Sequence, residues 1–442
     1  MGGGLLQLVA YGAQDAYITG NPHITFWKVL YKRHTNFAIE AFRVNFTGAP
    51  SYGQRIVAVV NRNADLIWKT YVEVTLPDTS AVTSAITGWT AGAKRRLGYV
   101  LLQQIEVEIG GQIIDRHYGE WLYLWETLTA DFDTAMKLDN MVGGQYSGAD
   151  SGALACNGRP EVLYVPLQFW FNRNPGLALP LIALQYHEVR FNITLGAATD
   201  LVRGAAATGA ALSAAAAALP ALRDMALYID YVYLDVEERR RFAQESHEYL
   251  IDQLQYTGQQ TITTSSGRLD LTLNHPVKEL VWVFQDERKT DCSIPSTGGN
   301  YTAAANTQPF SYDDIVNRAR LQINGQDRFD ERYGDYFWKV QPYQHHTGGA
   351  YSRTIDQTSV IPVSSPNPIN VYSFAISPEE HQPSGTCNFS RIDTATLVFD
   401  SAVNGAAGTF PSKAFPYNFR VYAVNYNIFR IMSGMGGLAY SN

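Results

Sequence analysis

Apolar and polar residues alternate with a period of two along much of this chain. Residues 42–46 read FRVNF, residues 189–195 read VRFNITL, and residues 231–235 continue the alternation as YVYLD. A period of two puts every second side chain on the same face, which is the pattern of a half-buried β-strand. Clusters of Gly, Pro, Asn and Ser separate these runs. Many short strands punctuated by turns predict an all-β chain built from sandwiches or barrels.

Helical periodicity is concentrated in one segment. Trp121, Leu124, Trp125 and Leu128 follow the three-and-four spacing that gives an amphipathic helix its apolar face. The pattern predicts a single helix from Trp121 to Met136, and helical signal is scarce elsewhere.

The sequence contains an internal repeat. Four short strings recur in the same order at offsets of 210 to 215 residues. The pairs are FTG at 46–48 with YTG at 256–258, DLIW at 65–68 with ELVW at 279–282, IGGQ at 109–112 with INGQ at 323–326, and DRHYGEW at 115–121 with DERYGDY at 330–336. Matches in constant order and nearly constant register indicate a duplicated domain. The Gly-Gly and Asn-Gly pairs predict tight hairpin turns, because both tolerate positive φ.

The repeat divides the chain into four parts. We expect an N-terminal arm at 1–36, a first β-domain at 37–236, a linker at 237–248 and a second β-domain at 249–442. The arm has no counterpart in the second copy. The linker begins with EERRR, which interrupts the strand pattern and predicts a solvated turn.

Composition favours a subunit of an assembly. Charged residues make up 17% of the chain, against about 25% in an average protein, so some surface is expected to be hidden in permanent contacts. The net charge of −7 argues against specific nucleic-acid binding, which needs a basic stripe. Lys28 and Lys32 are four residues apart and precede Arg33, so these three are a candidate contact with an anionic surface.

The sequence carries none of the common motifs of catalysis, cofactor binding or metal binding. The sequence has no GxSxG, no P-loop and no dinucleotide fingerprint. His345 and His346 are adjacent, which is not the spacing of a metal site, and Glu106 and Glu108 fit a solvated strand face. We therefore expect no catalytic residue, no cofactor and no metal. The three cysteines, odd in number and far apart, indicate a reducing compartment.

Four Asn-x-Ser/Thr triplets are candidate glycosylation acceptors, and they begin at Asn45, Asn192, Asn300 and Asn388. Asn300 lies in a loop rich in small residues and is expected to be the most accessible. Asn45 and Asn192 fall on predicted strands. Since the N-terminus does not resemble a signal peptide, glycosylation by the secretory pathway is not the default expectation.

Residue patterns alone leave three functions open. The first is a structural assembly protein, the second a carbohydrate-binding jelly-roll protein, and the third a glycosidase on the same kind of fold. A carbohydrate-binding protein should expose Trp in loops, whereas Trp68 and Trp282 fall in predicted strands. A glycosidase needs a pair of carboxylates across a cleft, which the sequence does not reveal.

Long strings of the sequence resemble the major capsid proteins of large icosahedral double-stranded DNA viruses, especially those of chlorella-type algae. The resemblance covers nearly the whole chain. It is carried by QLVAYGAQD at 7–15, TGNPHITFWKVLYKRHTNFAIE at 19–40, PGLALPLIALQYHEV at 175–189, FAQESHEYLI at 242–251, QPSGTCNFSRID at 382–393 and NIFRIMSGMGGLAYSN at 427–442.

This resemblance implies a specific architecture and set of partners. Each copy of the repeat would be an eight-stranded jelly roll, and three chains would form a homotrimeric capsomer with pseudo-six-fold symmetry. Its partners would be neighbouring capsomers, minor capsid and penton proteins and, on the inner side, a viral membrane near Lys28, Lys32 and Arg33 of the arm. The protein would be made and assembled in the host cytoplasm and would reside in the virion capsid.

Overall fold

The computed structural model describes residues 3–24, 26–27, 31, 33–76, 96–143, 162–198, 221–264, 266–286, 310, 312–349, 351–354, 363–401 and 417–440. The chain forms two compact units, Met1–Phe37 and Ala38–Asn442. The first unit contains two short helices, α1 (Gly3–Val9) and α2 (Asp15–Thr19), and neither has a buried residue. In the described residues, the sheets are formed by strands from Phe37 onward.

Strands between residues 37 and 234 form two facing antiparallel sheets. One sheet has the order β1-β9-β3-β6, with β7 beside β3, and the other has the order β2-β8-β4-β5. The strands are β1 (Phe37–Asn45), β2 (Arg55–Val59), β3 (Leu66–Thr75), β4 (Leu102–Ile109), β5 (Gln112–Tyr118), β6 (Val162–Pro166), β7 (Leu179–Pro180), β8 (Val189–Leu195) and β9 (Asp224–Leu234). We call this part the first jelly roll.

Strands between residues 247 and 438 repeat the arrangement and form the second jelly roll. One sheet has the order β10-β21-β12-β18, with β19 beside β12 and β22 beside β21, and the other has the order β11-β20-β13-β14, with β15 beside β13. The strands are β10 (His247–Ile262), β11 (Ser266–Asp270), β12 (Pro276–Asp286), β13 (Val316–Ile323), β14 (Gln326–Asp327), β15 (Arg332–Tyr333), β16 (Tyr351–Thr354), β17 (Val363–Pro366), β18 (Asn370–Ser373), β19 (Cys387–Asn388), β20 (Ala395–Ser401), β21 (Tyr417–Met432) and β22 (Met435–Leu438).

The two strand orders correspond one to one, so the duplication predicted from sequence is a duplication of topology. β1, β9, β3 and β6 match β10, β21, β12 and β18, and the second sheets match in the same way. The repeated hairpins are equivalent, because Ile109 pairs with Gln112 and Ile323 with Gln326. Both turns use two consecutive residues with positive φ, as their Gly-Gly and Asn-Gly sequences predict. The all-β double jelly roll is confirmed.

Helices occupy the connections between strands. The predicted helix at 121–136 is wrong in its continuity, because Ala130 is extended and separates α4 from α5. Asp131 caps the second of them, its carboxylate accepting from Thr134 N at 3.1 Å. The helices in the described residues after Phe37 are α3 (Leu97–Leu101), α4 (Gly119–Thr129), α5 (Phe132–Met141), α6 (Trp170–Arg173), α7 (Val236–Gln244) and α8 (Gln341–His345), with a π-helical turn at Tyr336–Val340 and 3₁₀ turns at Pro175–Leu177 and Phe389–Arg391.

The EERRR string lies on a helix and not in a turn, and it is exposed to solvent as its charges suggested. α7 covers the EERRR string and is capped by Asp235, whose carboxylate accepts from Val236 N at 2.8 Å. Glu237 and Glu238 stand in the first turn and Arg241 in the last, which suits the helix dipole at both ends. β10 then starts at His247.

The hydrophobic core is continuous between the two jelly rolls because β12 is buried on both faces. Val281 and Val283 pack in the core of the first jelly roll, whereas Leu280, Trp282 and Phe284 pack in the core of the second. Its matching strand β3 alternates: Val72 and Val74 are buried, whereas Glu73 and Thr75 are only partly buried. The sheet of β10, β21 and β12 is therefore an inner layer of the second unit, covered on both sides.

Candidate functional site

The contact between the two jelly rolls is the most elaborate site in the described part of the chain, and we call it the inter-roll interface. At its centre, the ring of Tyr422 on β21 lies 5.6 Å from Trp121 of α4 and is stacked on Tyr256 of β10 at 4.9 Å. Tyr123 of α4 stacks on Phe310 at 4.7 Å. These aromatic pairs give the interface the packing of a protein core.

A buried ion pair sits among these rings. Arg420 Nη2 donates to Glu120 Oε1 at 2.7 Å, and Arg420 Nε lies 2.7 Å from Glu120 Oε2. The hydroxyls of Tyr312 and Tyr422 also donate to the Glu120 carboxylate, at 3.1 and 2.5 Å. Burial raises the pKa of both tyrosines, and the Glu120 charge adds to that shift. Glu120 belongs to the first jelly roll and its three partners to the second.

A second charge cluster joins the jelly rolls near β10. Lys278 Nζ of β12 is fully buried and donates to Asp252 Oδ2 of β10 at 3.0 Å. Arg173 of α6, from the first jelly roll, lies 3.4 Å from the same oxygen. Burial lowers the pKa of Lys278, and the Asp252 charge opposes that shift. Asp252 therefore holds one cation from each jelly roll.

Hydrogen bonds between side chains and backbone atoms extend the interface along β5 and β10. Asp115 Oδ1 of β5 accepts from Leu254 N of β10 at 3.1 Å, and Asp115 Oδ2 lies 3.0 Å from His117 Nε2. Gln253 Nε2 donates to the carbonyl oxygen of Ile114. On the far side, Tyr186 N donates to Gly434 O at 3.0 Å. The two jelly rolls are thus joined at several separate points by directional bonds.

Sequence reasoning missed this interface, although a signal was present. Residues 281–284 read VWVF and residues 421–424 read VYAV, without polar alternation. An unbroken apolar run of this length is typical of a strand that is buried on both faces. Glu120 lies in one of the repeated strings, and its repeat partner Asp335 is exposed and pairs with Lys339 at 2.7 Å.

The residues predicted to contact the inner face are only partly described. Arg33 is exposed in the N-terminal unit. Lys28 and Lys32 lie outside the described residues, so the predicted cluster stays a prediction.

The candidate glycosylation acceptors have different environments. Asn45 and Asn388 are exposed, and Asn388 Oδ1 accepts from Ser390 N at 3.0 Å. Asn192 is 3% exposed on β8, and its Nδ2 donates to Glu108 Oε2 at 2.8 Å. A glycan on that nitrogen would have no room and would break the bond, so the geometry speaks against Asn192. Asn300 lies outside the described residues.

The carboxylates on β4 do not form the solvated face that the sequence suggested. Glu106 is buried and paired with Arg55 at 2.9 Å and with Arg116 at 2.8 Å, and Glu108 bonds to Asn192. Both carboxylates therefore form ion pairs or hydrogen bonds with side chains on neighbouring strands of the same sheet. No group of three or more His, Cys, Asp or Glu residues that could hold a metal ion occurs among the described residues. None of the helices in the described ranges is long and apolar enough to cross a membrane.

Comparisons with known proteins identify the family. The family model for the N-terminus of major capsid proteins matches residues 25–235, and the model for the large eukaryotic DNA virus major capsid protein matches residues 238–437. The chain is 45% identical to the major capsid protein of Pyramimonas orientalis virus, with both chains covered in full. It belongs to the major capsid proteins of large eukaryotic DNA viruses.

A second relative and a solved structure agree with this family assignment. It is 40% identical to the major capsid protein of Paramecium bursaria Chlorella virus 1, again over the full length of both chains. Its fold matches a chain of the PBCV-1 virus capsid quasi-atomic model with a TM-score of 0.75 and 35% identity, covering 95% of this chain and 100% of that one. The resemblance seen in the sequence is confirmed, and the carbohydrate-binding alternative finds no support.

The inter-roll interface joins the two sandwiches of this capsid protein through packed rings and two clusters of buried charge.

Proposed function

We propose that three copies of this chain form a homotrimeric, pseudo-hexagonal capsomer of an icosahedral shell. One observation carries the proposal: the same eight-strand topology occurs twice, and the two copies are fused through a sheet that is buried on both faces. Two similar blocks in each of three chains give six similar blocks around a three-fold axis, which suits a hexagonal lattice. Closed symmetry also lets each subunit cover surface that it leaves exposed as a monomer.

Exposed apolar side chains on the second unit support burial in an assembly. Tyr343 is 87% exposed, and Tyr186 and Ile376 are each 75% exposed. Large apolar groups at the surface commonly mark contacts with other proteins. We infer that such residues meet a second copy or a neighbouring capsomer.

The basic residues of the arm suggest partners on the inner side of the shell. We infer that Lys28, Lys32 and Arg33 of the arm at 1–36 face the inside of the shell, where minor capsid proteins, penton proteins and an inner membrane would lie. The net charge of −7 supports the absence of specific nucleic-acid binding. We infer domain bounds of 37–236 and 249–442 around a linker at 237–248, assembly in the host cytoplasm, and a structural role without catalysis.

The native mass of the purified full chain tests the trimer. Light scattering behind a sizing column should give a single species near 147 kDa, about three times the 49.1 kDa of one chain. A well-folded species at the mass of one chain would contradict the homotrimer. A Tyr343→Ser/Ile376→Ser variant should move the equilibrium toward the monomer because these side chains are expected to be buried between copies, and Gln326→Ser, on an exposed polar residue, serves as the control.

A further inference from the structure

A buried histidine at the edge of the inter-roll interface is held between two carboxylates. His346 Nε2 lies 3.0 Å from Glu279 Oε2 on β12, and His346 Nδ1 lies 3.0 Å from Glu379 Oε1 in the loop after β18. The side chains of His346 and Glu279 are both fully buried. A neutral imidazole has only one N–H and could donate to only one of these carboxylates, whereas the protonated ring donates to both.

The loop that carries His346 reaches the first jelly roll. Gly348 N donates to the carbonyl oxygen of Leu128 in α4 at 2.6 Å. A Cβ on Gly348 would lie 2.4 Å from Thr127 O and 2.6 Å from Leu128 O, so only glycine permits this approach. Thr347 fixes the loop from the other side, because its N and Oγ1 donate to the Glu379 carboxylate at 2.9 and 2.6 Å. The position of the Gly348 contact thus depends on the charge cluster two residues before it.

The first jelly roll has a matching arrangement with a different cation. Asp65 is the repeat partner of Glu279, and its buried carboxylate lies 3.0 Å from Arg239 Nε of α7. Arginine stays charged at every pH that a protein survives, whereas histidine does not. One copy of the repeat therefore has a permanent ion pair at this position, and the other has a titratable one.

We propose that His346 is an electrostatic latch: its imidazolium, held between Glu279 and Glu379, fixes the loop 346–349 against α4, and the latch opens when the ring loses its proton at alkaline pH. Release leaves Glu279 buried without its cation and leaves the bonds from Thr347 to Glu379 as the remaining support of the Gly348 contact. The capsid subunit thereby contains a pH-sensitive fastening between its two jelly rolls, independent of how copies assemble.

The direction of the pH dependence follows from the surroundings of the ring. The two carboxylates together outweigh burial and raise the pKa of His346 to about 9, while the released ring regains the ordinary value of about 6.5. A base with a raised pKa in the closed state stabilises that state fully below 6.5 and loses this contribution as the pH rises through about 9. The equilibrium constant that favours the closed loop over the open loop should therefore fall by about ten-fold to a hundred-fold from pH 7 to pH 10, as the pKa difference between the two states implies.

Other titratable groups lie close enough to need a control. Lys278 is the neighbouring buried base on β12, but its Nζ faces Asp252 and the ring of Tyr426. His345 is adjacent in sequence, half-buried, and bonded through Nδ1 to Ile376 O at 3.0 Å. A His346→Gln variant retains both of these groups and loses only the latch.

Hydrogen exchange of the full chain, followed by mass spectrometry on peptides spanning 345–349 and 124–130, tests the proposal. After correction for the chemical exchange rate, protection of these peptides in the wild type should fall at least ten-fold from pH 7 to pH 10. His346→Gln should show the low protection already at pH 7 and no further pH response. His345→Gln should behave as the wild type, and Arg239→Gln should leave the response at 345–349 unchanged.

Two results would overturn the latch. One is constant protection of 345–349 in the wild type across this pH range. The other is a full pH response in His346→Gln, which would assign the effect to Lys278 or another group. If His346→Gln does not fold, the wild-type profile together with His345→Gln decides, because loss of the response in His345→Gln would also contradict the proposal.

Discussion

Replacement of Glu120 by Gln should destabilise the capsid protein far more than the equivalent change in the second copy of the repeat. Glu120 and Asp335 occupy the same repeat position, and each forms an ion pair of 2.7 Å, with Arg420 and with Lys339. Their surroundings differ: the side chains of the first pair are 14% and 9% exposed, and those of the second are 56% and 43% exposed. The two pairs therefore differ in burial and in the two tyrosine hydroxyls that also donate to Glu120.

The magnitude follows from the partners that lose their charge. Glu120→Gln leaves the Arg420 guanidinium buried without a counter-charge and weakens the bonds from Tyr312 and Tyr422. Removing one partner of a buried ion pair costs about 3–5 kcal/mol. Asp335→Asn breaks an exposed pair one helical turn apart, which is worth less than about 1 kcal/mol.

Thermal unfolding of both variants at one scan rate, with urea titrations where unfolding is reversible, measures the difference. Glu120→Gln should lower the Tm by roughly 6 °C or more, and Asp335→Asn by a few degrees at most. A double variant, Glu120→Leu/Arg420→Met, should recover much of the loss, since an apolar pair no longer buries a lone charge. Equal losses in Glu120→Gln and Asp335→Asn would refute the assignment of the inter-roll interface as a dominant source of stability.

Three further predictions concern single positions. Gly119→Ala should prevent folding, seen as loss of soluble protein, because its Cβ would lie 1.9 Å from Tyr99 O. Gly111→Ala has a φ of +86° but open space around it, so this variant should fold, and urea titrations should show a loss of about 1–2 kcal/mol in the free energy of unfolding. Partial burial and the Asp335 charge raise the pKa of Asp314 to about 6, so the stability contributed by its protonated form is lost as the pH rises through about 6. Asp314→Asn should therefore raise the free energy of unfolding at pH 7.5, by less than about 1 kcal/mol because solvent still reaches this side chain, but should not raise it at pH 3.5. In peptide mass spectra of protein from infected cells, Asn192 should be unmodified, and a glycan at Asn192 would contradict its buried position on β8.

The sequence predicted the repeated parts of the fold well, because they follow from local rules. Strands at 189–195 and the hairpins at 109–112 and 323–326 were predicted from alternation and from the turn residues. Constant spacing of the repeated strings then predicted the duplicated topology. These features depend on neighbours along the chain or on a direct internal comparison.

Features that depend on helix caps or on distant contacts were missed. The break at Ala130 and the helical linker depend on the caps Asp131 and Asp235, which periodicity does not register. Burial of Asn192 results from a partner 84 residues away, Glu108. The inter-roll interface required knowing that β12 and β21 are covered on their second face, which the unbroken apolar runs indicated but which alternation elsewhere in the chain obscured.

A cryo-electron microscopy reconstruction of the purified full-length protein tests the central claim most directly. We predict a three-fold symmetric particle with six similar blocks, in which each chain contributes two jelly rolls packed through β10, β21 and β12. A particle without three-fold symmetry, or one in which the two jelly rolls of a chain are separated from one another, would contradict the account.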